Sequence, residues 1–306
     1  MAAYLAQRVL QTILILLGIA AITFLLLYMV PADPAVQIAG RSATAQTVAN
    51  IRRELGLDQP LLTQFLRYLG GLLHGDLGRS YAQKTDVMTL IASRLPATMT
   101  LMIAGIAAEL AIGVTLGVIA AVRRNSFLDR AVMIASFTTI SAPQFLVALL
   151  LLYVFAATLG WFPMSGFGSP AHVVLPALTL GILGAGWYAR IVRSTMIDVL
   201  NQDYVRTAKA KGVAPARVVL RHALPNALLP VIAMIGIDIG QFMAGLVVVE
   251  AVFGWPGIGQ LAWQAIQQVD IPIIMGVTLV SALAIVLGNL LADLIAPFID
   301  PRIRLR

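Results

Sequence analysis

The chain of 306 residues has no cysteine, and its three histidines, His74, His172 and His222, are scattered over different loops. Without cysteine there is no disulfide, no thiolate metal site and no thiol nucleophile. Isolated histidines with no clustered aspartate give no basis for a metal centre. Charge is scarce as well. Asp, Glu, Lys and Arg make up 11% of the residues, against roughly 25% in soluble domains. The phosphate-cradling pattern GxxxxGK[ST] is absent, as are HExxH and GxSxG, so the chain has no Walker-type ATP site and no familiar hydrolase signature. Internal repeats and low-complexity tracts are also missing. These absences argue against an enzyme and for a conduit or carrier.

Apolar length is what the sequence does have. Hydrophobic residues account for 59% of the chain, and the mean hydropathy is +0.90. They fall in six blocks, about Val9–Val30, Ala97–Val122, Ala131–Leu159, Val173–Val192, Leu228–Phe253 and Ile273–Ile295. At about 1.5 Å per residue each can cross a hydrocarbon core roughly 30 Å thick. The expected fold is therefore an all-α polytopic membrane protein with six transmembrane helices in one domain. The fourth block is the shortest and contains Pro176. The first follows Arg8 as a signal peptide would, but its 22 residues exceed the about 7–15 of a signal core. It reads as a retained anchor.

The formal charge of +7 could suggest nucleic acid. Here the basic residues sit in loops between apolar blocks, which fits topology and not a nucleic-acid patch. Loop Arg123–Arg130 holds three Lys or Arg, the segment Arg190–Arg221 seven, and the tail Arg302, Arg304 and Arg306. Gly160–His172 and Gly254–Pro272 hold none. The alternation predicts both termini in the cytoplasm. Loop 31–96 then falls outside; its seven basic residues count little, because it exceeds the roughly 60 residues over which the rule applies. Within it, Ala45–Leu55 and Pro60–Leu73 show helical spacing, with Leu62, Phe65, Leu66, Leu69 and Leu73 on one side. Gly56 would end the first helix and Pro60 start the second. Two amphipathic helices on the outer rim, or a docking surface for an external partner, both fit.

Polar residues inside the blocks are few. Glu109 lies mid-span among Gly105, Gly113 and Gly117 at four-residue spacing, a small-residue face that lets another helix approach. A carboxylate there costs about 2.5–3.5 kcal/mol on insertion scales, so it should not face lipid. A carboxyl bonded across a helix pair and a residue lining a path both satisfy that. In the fifth block Gly236, Gly240 and Ala244 make a packing face, and Asp238, Gln241 and Gly245 form a second stripe on another side. That stripe suits a water-filled passage, or a polar contact with a partner helix. Glu250 and Asp293 lie near span ends, where they can reach the interface.

The segment DYVRTAKAKGVAPARVVLRHALP, Asp203–Pro225, interrupts two apolar blocks with five Lys or Arg and one acidic residue. Ile197, Leu200, Tyr204 and Ala208 predict a helix over Ile197–Lys211, with Asp203 pairing Arg206 and Lys209 and Lys211 at its cation-favouring end. Gly212 suits a left-handed C′ position and Pro215 a new first turn. A second short helix follows, and Leu224–Pro225 turns the chain back. A topology signal needs charge but no such frame, so the segment reads as a docking element.

The spacing of Ala208, Gly212 and Leu224–Pro225 resembles the EAA loop of ABC importer permeases, EAA-x3-G-x9-I-x-LP. Arg206, Thr207 and His222 stand where that pattern has Glu, Ala and Ile. DYVRTAKAKG, RHALPNALLP and VVVEAVFGWPGIGQL resemble the dipeptide, oligopeptide and nickel permeases, and QRVLQTI, PADPA and LGLDQPLLTQFLRYLGGLLHGDLGRS their B-type subunit. The resemblance implies a type I importer permease in a bacterial inner membrane. Its coupling surface (residues 193–227) would centre on Arg206, Thr207, Ala208, Lys209, Ala210, Lys211, Gly212, Leu224 and Pro225, with small residues such as Ala208 admitting the ATPase. Partners implied are a C-type permease subunit, one or two cytoplasmic ATPases and a periplasmic binding protein. ATP and Mg would sit on the ATPases, with no cofactor on this chain and no nucleic acid bound. The path residues expected are Asp238, Gln241, Gly245 and Glu109. Cargo would be dipeptides, oligopeptides or glutathione, with nickel chelates as the alternative. A different class, an ion-coupled carrier with Glu109 and Asp238 as relay, predicts uptake without an ATPase.

Overall fold

The structure is a computed structural model that describes residues 2–29, 34–40, 43–54 and 56–299. Those residues form helices α1 (Ala2–Met29), α2 (Pro34–Ala39), α3 (Ala45–Glu54), α4 (Leu61–Leu73), α5 (Val87–Val122), α6 (Phe127–Ser141) and α7 (Gln144–Leu151). After a π-helical stretch, Leu152–Thr158, come α8 (Pro170–Leu200), α9 (Asp203–Ala210) and α10 (Pro215–Arg217). A second π-helical stretch, Val218–Ala223, leads into α11 (Leu224–Ala227), α12 (Leu229–Gly245), α13 (Val247–Val252), α14 (Ile258–Gln268) and α15 (Ile271–Ile299). No strand forms among the described residues beyond the single bridge Arg79–Asp86.

Helices α1, α5, α8 and α15 are each long and apolar enough to cross a membrane. Two further crossings are bent. α6 and α7 meet at 106°, so the block expected at Ala131–Leu159 is no straight rod. The cause is local: Pro143 lacks an amide hydrogen and pushes Ala142 into an extended conformation, with ψ 133°. The segment Pro215–Ala227 meets α12 at 51°. Counting each bent pair as one span gives six crossings.

Packing of the bundle follows its small residues. Lipid supplies no hydrophobic drive between helices, so close backbone approach must hold them. Gly113 faces Ala185 and Tyr188, and a Cβ there would lie 2.5 Å from that of Tyr188. Gly117 meets Ala189 and Val192, and Gly181 on α8 meets Ala108. The glycine face expected on α5 is thus the seam between α5 and α8. A second seam joins α12 to α15, where Gly240 meets Ile285 and Gly288 lies over Ile239. Ala244 lies in α12 and Asp293 in α15, but their side chains are outside what the structure describes, and Arg302, Arg304 and Arg306 lie outside the described residues.

The long segment after α1 is seated on the bundle by aromatics. Phe24 of α1 packs on Phe65 and Tyr68 of α4, with centroids 5.2 and 6.0 Å away. Ile271 and Met275 join them, and burial pushes the Tyr68 phenol up to about 12. The stripe expected on α4 therefore divides. Phe65 packs inward, while Leu62, Leu66 and Leu73 are exposed. Gly56 adopts φ +66°, the left-handed turn that ends α3. Asp270 fastens the loop at its far end, accepting hydrogen bonds from Ser80 Oγ at 2.5 Å and the Ala82 amide at 3.0 Å.

Candidate functional site

Three regions bear on function: the α9–α11 hairpin, the polar centre between α5, α8 and α12, and the α13–α14 hairpin at the other end of α12.

The first hairpin is held to the bundle from beneath. The helix expected to begin at Ile197 does not; Ile197–Leu200 is the last turn of α8, and the chain breaks at Asn201 and Gln202. α9 then packs Val205 and Ala208 on Val218 of the π-helical stretch. Ala208 is 9% exposed, which corrects the expectation that its small side chain faces a partner. Its size is set by Val218, ten positions on. Gly212 has φ +75°, closing α9, and open space surrounds the position of a Cβ. Pro215 occupies the first turn of α10. Asn226 Nδ2 donates to Tyr204 Oη at 2.7 Å, and Thr195 Oγ1 on α8 donates to the Ala227 carbonyl at 2.9 Å. Above this base, Arg206, Thr207, Lys209, Ala210, Lys211, Gly212 and Pro225 are exposed and Leu224 is half-buried. Arg206 lies 3.7 Å from Asp203, both largely exposed, so that pair does little for stability. The result is a small, braced, basic platform.

The polar centre is built from three helices. Glu109 on α5 is 3% exposed, with its carboxyl against Gly184 of α8, where a Cβ would collide with it. Tyr188 Oη donates to Asp238 Oδ2 on α12, and Glu109 lies within interaction range of Asp238. Glu109 and Asp238 therefore face each other across helix seams. Gln241 is exposed on the free face of α12. The expected stripe of Asp238, Gln241 and Gly245 is thus split, because Asp238 is turned toward α8. Gly245 ends α12, and its surroundings lie outside the described residues. Among the described residues no group of three His, Cys, Asp or Glu could hold a metal ion.

The opposite hairpin carries a network that local sequence could not reveal. Glu250 was expected to reach the membrane interface; instead it is fully buried at 0% exposure. It accepts from Thr98 Oγ1 at 2.7 Å and the Gln260 amide at 2.8 Å. Thr98 Oγ1 accepts in turn from the Ile258 amide at 2.9 Å, and Trp255 Nε1 donates to the Ala97 carbonyl at 2.9 Å. Gly257 and Gly259 leave room for that carboxylate. The string EAVFGWPGIGQ is thereby explained as one buried acceptor and the turn folded around it.

Two arginines of α8, both in the basic segment Arg190–Arg221, do more than set topology. Arg193 forks onto Asp129 of α6, with Nε–Oδ1 at 2.5 Å and Nη2–Oδ2 at 2.7 Å. Arg190 lies over the rings of Phe137 and Trp187, 4.7 and 5.6 Å from their centroids. Its position inside the fourth apolar block was the available signal.

Comparison with known proteins fits this architecture. Residues 113–305 match the family model described as binding-protein-dependent transport system inner membrane component. Residues 1–102 match the model of the N-terminal part of such membrane components. A glutathione transport system permease protein of Salmonella paratyphi A is 43% identical over 301 residues, covering 98% of each chain. A putative peptide permease protein of Brucella suis biovar 1 is 44% identical over 315 residues, again covering 98% of each. Among solved structures, an inward-facing methionine ABC transporter superposes with a TM-score of 0.60 at 19% identity, covering 69% of this chain and 97% of that one.

Proposed function

This chain belongs to the family of binding-protein-dependent transport system inner membrane components, and on that premise we propose that it forms half of a path for peptides of dipeptide to glutathione size. It is a multi-pass inner-membrane protein with the fold of a type I ABC importer permease, a transport subunit and not an enzyme. Membership implies an ATPase and a substrate-binding protein as partners. A second, C-type permease subunit would complete the path. ATP and Mg would sit on one or two ATPase subunits, with no cofactor on this chain. The cargo reading rests on the glutathione and peptide permeases to which the chain is similar over nearly its whole length.

The observation that carries the coupling mechanism is the α9–α11 hairpin. It is fixed to α8 through Thr195 and to itself through Val205, Ala208 and Val218, while its basic outer face is open. This end would face the cytoplasm. Closure of an ATPase pair there would move α9, and α11 would pass the movement to α12 across the 51° bend. A ligand shifts such a two-state equilibrium only by its unequal affinity for the states. The permease need supply no more than a stiff lever and two packings. Gln241 would face the path. Asp238 and Glu109 would border it from within the α5–α8–α12 contact.

Reconstitution with the partner permease, ATPases and binding protein in proteoliposomes tests this. Uptake of glutathione or of di- and tripeptides should require ATP and the binding protein, and an ion gradient alone should drive none. Gradient-driven uptake by this chain without ATPase would favour the secondary-carrier reading and refute ours.

A further inference from the structure

Three stripes run along α4, and each meets something different. Phe65 and Tyr68 form the first, packed on Phe24 of α1 and on Ile271 and Met275 of α15. Gln64, Arg67 and Gly71 form the second. Gln64 Nε2 donates to the carbonyls of Leu57 and Gln59 at 3.3 and 2.8 Å. The Arg67 guanidinium lies at Gly56, and Gly71 lies against the Asp76 carbonyl. Leu62, Leu66, Leu69 and Leu73 form the third. Leu62, Leu66 and Leu73 are 69%, 58% and 87% exposed, and no described residue covers them.

At 3.6 residues per turn the leucine stripe stands about 100° from the aromatic stripe and about 165° from the polar one. The bundle therefore lies beside α4, the polar chain of residues 56–59 and 76 lies over it, and the leucines point away from that polar chain. The level of α4 along the spans is fixed by its partners. Phe24 belongs to the last turns of α1, and Ile271 and Met275 to the first turns of α15. Thus α4 rests where two spans reach the membrane surface, and beside Phe24 the apolar Ile22 and Leu25 of α1 are exposed as lipid-facing residues are. A row of exposed leucines marks a contact with protein or membrane. Protein contacts favour aromatic and arginine anchors. This stripe has neither, and the one charged residue of α4, Arg67, lies on the side of the polar chain.

We propose that α4 lies in the plane of the membrane surface with Leu62, Leu66 and Leu73 at the acyl boundary, so that lipid and no external protein covers this face. On the orientation read from the loop charges, the leaflet is the outer one. Helices of this kind sit about 5–10 Å into the boundary between headgroups and acyl chains. The segment between α1 and α5 is then seated on lipid through α4 and fastened to the bundle at Asp270. The inference rests on the bundle crossing a membrane and is independent of what is carried.

The chain has no cysteine, so single cysteines report cleanly. L62C, L66C and L73C, with D58C on the polar turn as the reference, carry a polarity-sensitive dye. Each is assembled with cysteine-free partner subunits in proteoliposomes. Lipids bearing a nitroxide at a shallow acyl carbon should quench the three leucine-site labels about threefold and leave the D58C label nearly unquenched. Adding the binding protein should change neither result. Leucine-site labels as open to aqueous iodide as D58C would overturn the proposal. If that openness vanished when the binding protein was added, the stripe would be its docking face. Labels shielded from both iodide and the lipid nitroxide would give the stripe to the partner permease, which overturns it too. L73C, at the most exposed of the three leucines, decides if the other two variants fail to assemble.

Discussion

The two hairpins flanking α12 are built on opposite plans. In the α13–α14 hairpin the polar groups of the turn point inward, whereas Gln267 and Gln268 at the end of α14 are exposed. Glu250 and Trp255 are at 0% exposure, and Gly257 and Gly259 exist because no Cβ would fit. In the α9–α11 hairpin the buried residues are Val205, Ala208, Val218, Ala223 and Ala227, all apolar. Its glycine stands in open space, and its charges face out. Both are helix–turn–helix segments returning the chain to the bundle. One is closed within this chain, whereas the other presents a surface that no described residue of this chain covers. That asymmetry is what an importer subunit needs if force enters at one end and is borne at the other.

The largest expected contrast lies between two glycines. Gly259→Ala would set a Cβ 2.8 Å from the Val247 amide nitrogen and 2.9 Å from Glu250 Oε2. It should cost about 2–3 kcal/mol, read as lost thermal stability of the purified chain. Gly212→Ala meets no atom and suffers only its left-handed φ, about 1–2 kcal/mol confined to the hairpin. Bundle stability should hold while ATP-driven uptake falls. Equal losses of stability in the two variants would dissolve the distinction between a closed and an open end.

A smaller contrast separates two polar residues. Thr98→Val removes the donor to Glu250 and the acceptor of the Ile258 amide. Leaving those buried groups unsatisfied should cost about 1–3 kcal/mol, seen in a melting curve. Asp203→Asn at the other hairpin should leave the melting temperature unmoved, since its pair with Arg206 is solvent-exposed. The smallest effect sharpens the platform itself. Ala208→Leu overpacks Val218 and should make α9 protease-sensitive in the isolated chain. Thr207→Leu, on the exposed face, should leave protease resistance intact and weaken ATPase binding. The reverse pattern would return Ala208 to the docking face.

What could be read from sequence was what depends on neighbours along the chain. Gly212 and Pro215 mark the ends of α9 and α10 because left-handed φ and a missing amide are local demands. Gly105, Gly113 and Gly117 announce a packing face through their four-residue period, and α8 occupies it. Pro143 carried an equally local signal for the bend between α6 and α7, which the apolar run concealed. Arg190 is legible as a lone cation near the end of an apolar block, whereas its contacts with Phe137 and Trp187 depend on how α6 packs on α8.

The remainder was decided by contacts between distant residues. Glu250 has its partner Thr98 on α5, 152 positions earlier in the chain, so its place at a span end said nothing of its burial. Asp238 leaves the stripe it shares with Gln241 because Tyr188 of α8 offers it a hydroxyl. By itself the sequence determined a lipid-embedded helical chain without an ATP site of its own and with a basic hairpin between two spans, since hydropathy, absent motifs and turn residues act locally. Which polar groups close on one another, and which remain open to a partner or a cargo, depended on helix packing in three dimensions, where burial and hydrogen-bond partners are set by residues far apart in sequence.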